Sequence, residues 1–406
     1  MTGRAAHQRA DRARWNTHSR EWRAPEQAAT FWREAADTDP RLLRGRAYGA
    51  WWETIGALGV TVLVSREYEH VVVALTMAAS GPCVSFMPMP HPSGIAVDRR
   101  ARRVFVASTR NPNQVYEFRP LAGLRRRPDV VTRAAAAIQR PLMPVAAQIH
   151  PGCLYIHDLA IVGRTLHANA VGQNVVVRLG AGDARPVWWP ASIERDGLPD
   201  MGRNHLQLNS IAAGPTLRAS YFSASGARPG RRRPGDPLYP VNRRGVIFSG
   251  ATRDVVTRGL TRPHSARLYR RELWVANSGY GEIRRADVPS ASSTVVVTAP
   301  GWTRGLAFAD GVGLFGTSRV IPRFRAYAPG LDLDRSVCGV HAFDVRSGRV
   351  LGGYEWPSGN QIFAVDWVEA NWSDGLPFPA GARDPAADTA LFYAFAVEPN
   401  TPVEDR

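Results

Sequence analysis

The chain has 406 residues, 44% of them apolar, and a formal charge of +16. All 51 basic residues are arginine, spread from end to end with runs only at 125–127 and 231–233; that spread reads as compositional bias rather than a phosphate track, so nucleic acid is not an expected partner. No apolar run approaches the ~20 residues of a membrane span, Cys83, Cys153 and Cys338 build no disulfide framework or paired zinc motif, and the Arg-rich first 23 residues lack a signal-peptide core. A cytoplasmic protein without a membrane partner is expected.

Residues 1–55 set Trp15, Trp22, Phe31, Trp32, Leu42 and Leu43 among Arg, Glu and Ala, with Pro25 and Pro40 as breakers. That pattern predicts an N-terminal helical arm of short amphipathic pieces. From residue 58 the pattern becomes β, with apolar runs at 60–64, 70–75 and 84–87. A degenerate phrase then recurs: a polar start, a short strand, a turn and a second strand. Its copies begin near 91, 156, 208, 262, 303 and 361, and the equivalent positions Gly94, Asp158, Ser210, Ser265, Gly305 and Ala364 are 64, 52, 55, 40 and 59 residues apart. Such spacing suits four-stranded blades in a toroidal array.

The sixth start has no strand pair directly after it, and the first β segment has no start before it. The last inner strand therefore joins the first outer strands. The predicted fold is all-β, a six-bladed β-propeller over 56–398 closed by N- and C-terminal strands, with the arm before it and a tail at 399–406. Closure is expected to leave no exposed edges. Residues 125–151 and 227–242 read as polar insertions, and 389–395 as a further outer strand.

In a propeller the first strand of each blade lines the central channel. The axial positions are Ser93, His157, Asn209, His264, Arg304 and Phe363, with Asp158, His205, Asn169, Asn277, Tyr280, Ser108 and Arg319 just outside. Two chemistries fit this set. In one, His157, His264 and Asn209 hold a divalent metal with a position open to substrate. In the other, the histidines are general acid and base, and Arg304 holds a carboxylate or an oxyanion. Asp158 and Tyr280 would then assist proton transfer, while Asn277, Asn169, Ser93, His205, Arg319 and Phe363 would contact substrate. No helix follows Gly279-Tyr280-Gly281, so that turn is no phosphate loop, and no nucleotide or redox cofactor is expected.

The phrases at 157–160, 208–212, 262–267, 273–279 and 300–308 resemble an uncharacterised bacterial family known only as a domain of unknown function, over about residues 150–370. More broadly, the chain resembles NHL-type and strictosidine-synthase-like six-bladed propellers. Pro263-His264-Ser265 and the phrase at 156–160 are similar to the zinc-histidine phrases of peptidyl-hydroxyglycine amidating lyase. That resemblance implies a metal on blade-start histidines, assisted by an Arg and a Tyr. Here only His157 and His264 match and Asn209 takes the third place, which leaves zinc, calcium, magnesium or manganese open. The function expected is non-redox catalysis, as a lyase, cyclase, isomerase or hydrolase, on a small polar or carboxylated metabolite or a peptide-derived intermediate. The alternative is a non-catalytic scaffold that binds a protein or peptide.

Overall fold

A computed structural model describes Ala35 and residues 38–110, 113–130, 138–150, 152–180, 183–381 and 385–397. Six antiparallel sheets surround one axis. Blade 1 takes its inner strand from Ala364–Glu369 and its next three from Val60–Arg66, Val71–Ala78 and Gly81–Pro88. Blade 2 runs from Pro92–Asp98 to Leu142–His150, blade 3 from Ile156–Val162 to Ala184–Trp188, and blade 4 from Leu208–Ala212 to Val255–Leu260. Blade 5 runs from Pro263–Tyr269 to Ser292–Thr298, and blade 6 from Trp302–Ala309 to Val350–Glu355. Each inner strand touches the inner strands on both sides, including that of blade 6 against that of blade 1, so the ring is closed by pairing the two ends of the chain as expected.

Apolar layers fill the gaps between neighbouring blades. Val62, Val64, Leu314 and Val340 pack between blades 6 and 1, and Ile211, Phe222, Val176 and Trp188 between blades 3 and 4. A central strand is covered on both faces by such layers, which is why Val60–Arg66 is buried along its whole length and reads as a continuous apolar run.

Closure removes only the inner edges. Fifth strands cover the outer edges of two blades, Arg46–Gly49 on blade 6 and Phe378–Pro379 on blade 1, while Phe395–Val397 pairs with the far end of the third strand of blade 2, Asn113–Leu124. No such strand is seen on blades 3, 4 and 5 among the described residues. Most of the expected helical arm lies outside the described residues. Its last part holds a 3-10 turn at Pro40–Leu42, the strand Arg46–Gly49 and the helix Trp51–Ala57. Two further expectations are corrected. The insertion at 125–151 contains the outer strand of blade 2, Leu142–His150. Residues 389–394 belong to a helix, Pro385–Ala394, rather than a strand; proline at its start and several alanines within favour that state.

The joints between blades place the site. In five blades the inner strand carries a register shift at the repeat position: Pro92/Ile95, at His157-Asp158, Leu208/Ser210, His264/Arg267 and Arg304/Leu306. A bulge bends the strand, re-aims a side chain and leaves backbone groups unpaired. Six side-chain hydrogen bonds, one per boundary, take up the freed carbonyls. Ser65 donates to Ser93, Ser93 to Ile156, Asn169 to Leu208, Asn209 to Pro263, Ser278 to Thr303 and Ser318 to Ile362, at 2.6–3.0 Å. Backbones approach closely here. A Cβ on Gly94 would meet the Leu159 nitrogen at 2.5 Å, and Gly305 has φ +68 with the Val365 nitrogen equally near.

Candidate functional site at the propeller axis

The axial residues converge. The rings of His157 and His264 lie 5.9 Å apart, and each meets Phe363 edge to face at 5.4 and 5.5 Å. The guanidinium of Arg304 lies 4.5 Å over the Phe363 ring and 5.5 Å from that of Trp302. His157, Arg304 and Phe363 form the floor of a cavity of about 190 Å³ that opens on one face of the ring. His264 stands behind His157, and Asn209 lies beside it.

Above the floor is a second tier. Tyr155, Gln207, Arg262, Trp302 and Gln361 line the cavity, each two residues before an axial residue. Of these only Trp302 lies within its inner strand; the others sit in the segment that leads into one. Tyr155, Gln207 and Arg262 have positive φ, at 54°, 56° and 53°, which turns the entering chain toward the mouth. Arg262 is buried, stacked 3.9 Å over Tyr327 and bonded to Gln207 and the Pro234 carbonyl. Burial lowers its pKa to about 10 against the opposing pull of Tyr327 and Tyr239. The 3-10 turn Pro322–Tyr327 roofs part of the mouth: Phe324 stacks at 5.6 Å on Tyr327, both meet Trp302, and the Tyr327 hydroxyl donates to Gly235 at 3.1 Å across the face.

Charge in this cavity is one-sided. Arg110, Arg262, Arg304 and Arg319 line it against a single carboxylate, Glu67, which accepts from Thr109. Arg304 is 9% exposed, makes no ion pair among the described residues, and its Nε and Nη1 have no hydrogen-bond partner. Burial lowers its pKa, and Glu67 and Tyr68 oppose that. Both axial histidines are held neutral. His157 is brought down to about 3 by burial and by Arg304, against a raising contribution from the Asn209 amide. His264 lies well below its ordinary value because of burial, then Arg304 and His157.

The proton on His264 follows from its neighbours. Ser265 Oγ accepts from Gly305 N–H at 2.9 Å and lies 2.9 Å from His264 Nδ1. With Gly305 N–H already donating to Oγ, the serine proton goes to Nδ1 and leaves Nε2 as an N–H donor without a partner among the described residues. No carboxylate among the described residues bonds to His157 or His264, and the adjacent Arg304 opposes a divalent cation beside them. Among the described residues no group of three or more His, Cys, Asp or Glu side chains could hold a metal.

The remaining candidates separate clearly. Arg319 lines the mouth and donates to the Pro357 carbonyl at 2.8 Å. His205 is near enough to act on His157 through its charge. Ser93 and Asn169 serve the blade joints, and Asn277 bonds Thr261 N–H at 2.6 Å and Glu282 at 2.7 Å. Tyr280 donates to Asn242 at 3.0 Å and does not line the cavity. Ser108 is buried beneath the rim.

Asp158 faces away from the cavity. It accepts from Ile211 N–H at 3.0 Å and pairs with both terminal nitrogens of Arg267 at 2.8 and 3.1 Å, tying blades 3, 4 and 5 together. Burial pushes this carboxyl up while Arg267 pulls it down. Asp158→Ala leaves Arg267 buried without its anion and is expected to destabilise the fold by about 3 kcal/mol. Urea unfolding measures this, and a loss under about 1 kcal/mol would show that the pair is not a clamp.

With this geometry established, relatives can be compared. The profile described as "Domain of unknown function (DUF4915)" matches residues 49–373. The chain belongs to the DUF4915 family. No curated protein matches it. Among solved structures, this DUF4915 chain is similar to a chain of a nidogen/laminin complex (9% identity, 76% of this chain and 98% of that one, TM-score 0.48). It is also similar to a protein of unknown function from Bacteroides caccae (9%, 76% and 98%, TM-score 0.43) and to the computationally designed Ika8 protein (9%, 78% and 83%, TM-score 0.34).

Proposed function

We propose that the axial cavity binds a small organic anion, a carboxylate with a planar or apolar body, and acts on it by acid/base chemistry without a redox cofactor. The observation that carries this reading is Arg304: a buried guanidinium on the cavity floor with two unpartnered N–H groups. A buried cation without an anion is costly, and converging charge-assisted donors suit a carboxylate. Trp302, Phe324, Tyr327 and Phe363 supply flat apolar walls for the rest of the ligand.

His157 is the group for proton transfer. Without ligand, burial and Arg304 make it a weak base. A bound carboxylate offsets the field of Arg304 and raises the basicity of His157 only when substrate is present. The amidating-lyase likeness enters only through the His157 and His264 phrases, and the neutral donor set favours an anion over zinc.

Titration calorimetry with a panel of aromatic and aliphatic carboxylates, their neutral amides, and zinc, calcium, magnesium and manganese tests this. Carboxylates are expected to bind and amides of the same shape to bind at least about tenfold more weakly. Stoichiometric metal in the purified protein, or equal affinity for acid and amide, would overturn it. Binding of no small anion would favour the scaffold reading.

A further inference from the structure

A second groove, of about 900 Å³, lies on blade 4 and the 226–244 loop, away from the axis. Six of the eighteen residues that line it are arginine, against 51 of 406 in the chain, and one is a carboxylate, Asp254. The concentration therefore exceeds what the arginine-rich composition alone supplies. Arg203 is paired with Asp200, and Arg253 with Glu194. Arg228, Arg243, Arg244 and Arg258 are exposed and make no ion pair with a described carboxylate.

The groove is held in shape from beneath. Asn204 donates to the carbonyls of Gly230 and Arg231 at 2.7 and 3.3 Å, and Tyr239 donates to Ser225 at 3.2 Å. Its two aromatic lining residues offer no stacking surface, since Phe248 is 1% exposed and Tyr239 is half-buried with its hydroxyl engaged. Bases of single-stranded nucleic acid are held largely by stacking, whereas planar guanidinium forks match phosphate oxygens by charge and geometry alone.

We propose that this groove is a binding site for a linear, multiply charged phosphate ligand of the polyphosphate type, recognised through Arg228, Arg243, Arg244 and Arg258. The site is separate from the axial cavity and does not depend on the reading given for it.

The probe is inorganic tripolyphosphate, titrated into the full chain by calorimetry at low and at near-physiological salt. Binding that weakens with salt is expected. The combined variant Arg228→Gln, Arg243→Gln, Arg244→Gln and Arg258→Gln is expected to lose roughly tenfold or more in affinity. A control replacing the exposed Arg195, Arg218, Arg270 and Arg271 by Gln makes the same change in net charge, and Arg304→Met empties the axial guanidinium. Both are expected to retain wild-type binding. Equal loss in the control would reduce the effect to net charge and overturn the site, as would unchanged binding in the groove variant. Loss in Arg304→Met alone would move the phosphate to the axial cavity. An oligothymidylate of matched charge that binds more tightly than tripolyphosphate would overturn the ligand class. Circular dichroism of each variant separates loss of binding from loss of fold.

Discussion

Arg304→Met is expected to abolish carboxylate binding while making the unliganded protein more stable. The two effects have one cause. The guanidinium is buried over Phe363 and Trp302 and forms no ion pair among the described residues, with Glu67 acting on it only across the cavity. Methionine keeps an apolar stem in that place and removes the charge, so the unfolding free energy is expected to rise by about 1–3 kcal/mol. Loss of the charge-assisted donors is expected to weaken a carboxylate ligand by about 100-fold or more. The same change lifts one of the fields that depress His157 and His264, so both imidazoles should titrate nearer their ordinary value, which NMR of the ring protons reads directly. A variant that loses both stability and binding would mean that Arg304 has a protein partner and is structural. A variant that keeps its affinity would move the anion elsewhere in the mouth, to Arg110 or Arg319.

The repeat was legible because its period is physical. Each inner strand begins at a polar residue, bends at a bulge and runs into an apolar strand, and the positions of Gly94, Ser265 and Gly305 mark where that bend brings backbones together. From this the closure of the ring and the convergence of His157, His264, Arg304 and Phe363 follow. What the repeat conceals is how each polar atom is spent. Ser93, Asn169 and Asn209 share the repeat position or its neighbourhood with the histidines, yet their donors go to carbonyls freed by the bulges. That demand comes from the backbone of the next blade and leaves no mark on the side chain itself.

The upper tier carried a signal that went unused. Tyr155, Gln207, Arg262, Trp302 and Gln361 each precede an axial residue by two, and the turn that leads into each inner strand brings them to the same mouth. Extending the axial register by one step would have found them. The roof formed by Phe324 and Tyr327 had no such signal, because it belongs to the connection between the second and third strands of blade 6, whose length and sequence differ from blade to blade. Tyr280 misled for the opposite reason: it follows a repeat strand, but the chain turns it outward to Asn242.

Mild acid is expected to unfold this protein at a pH where most of its carboxylates are still ionised. His157, His264 and His341 are buried and neutral; burial holds His341 to about 4, with its two ring nitrogens bonded to Tyr48 and Thr317. Their folded pKa values lie below the ordinary histidine value of about 6.5. The unfolded chain therefore takes up protons first as the pH falls, and stability that is fully present above about pH 6.5 drains away toward pH 3–4. At pH 5, about 1.5 units below the ordinary histidine value, the unfolded chain holds these protons and the folded chain does not, which costs about 2 kcal/mol for each of His157 and His341. Together those two remove on the order of 4 kcal/mol, a large share of the stability of a typical domain, and His264 acts in the same direction. Urea midpoints measured from pH 8 to pH 4.5 should fall steeply below pH 6.5, and a saturating carboxylate ligand should not reverse the loss contributed by His341, which lies far from the floor in blade 6. His341→Gln is expected to flatten the slope by one proton while lowering stability at pH 8, since glutamine cannot satisfy both Tyr48 and Thr317 in the same geometry. A midpoint that stays level down to pH 4.5 would mean that these imidazoles take up protons in the folded protein, and their burial as neutral groups would have to be abandoned.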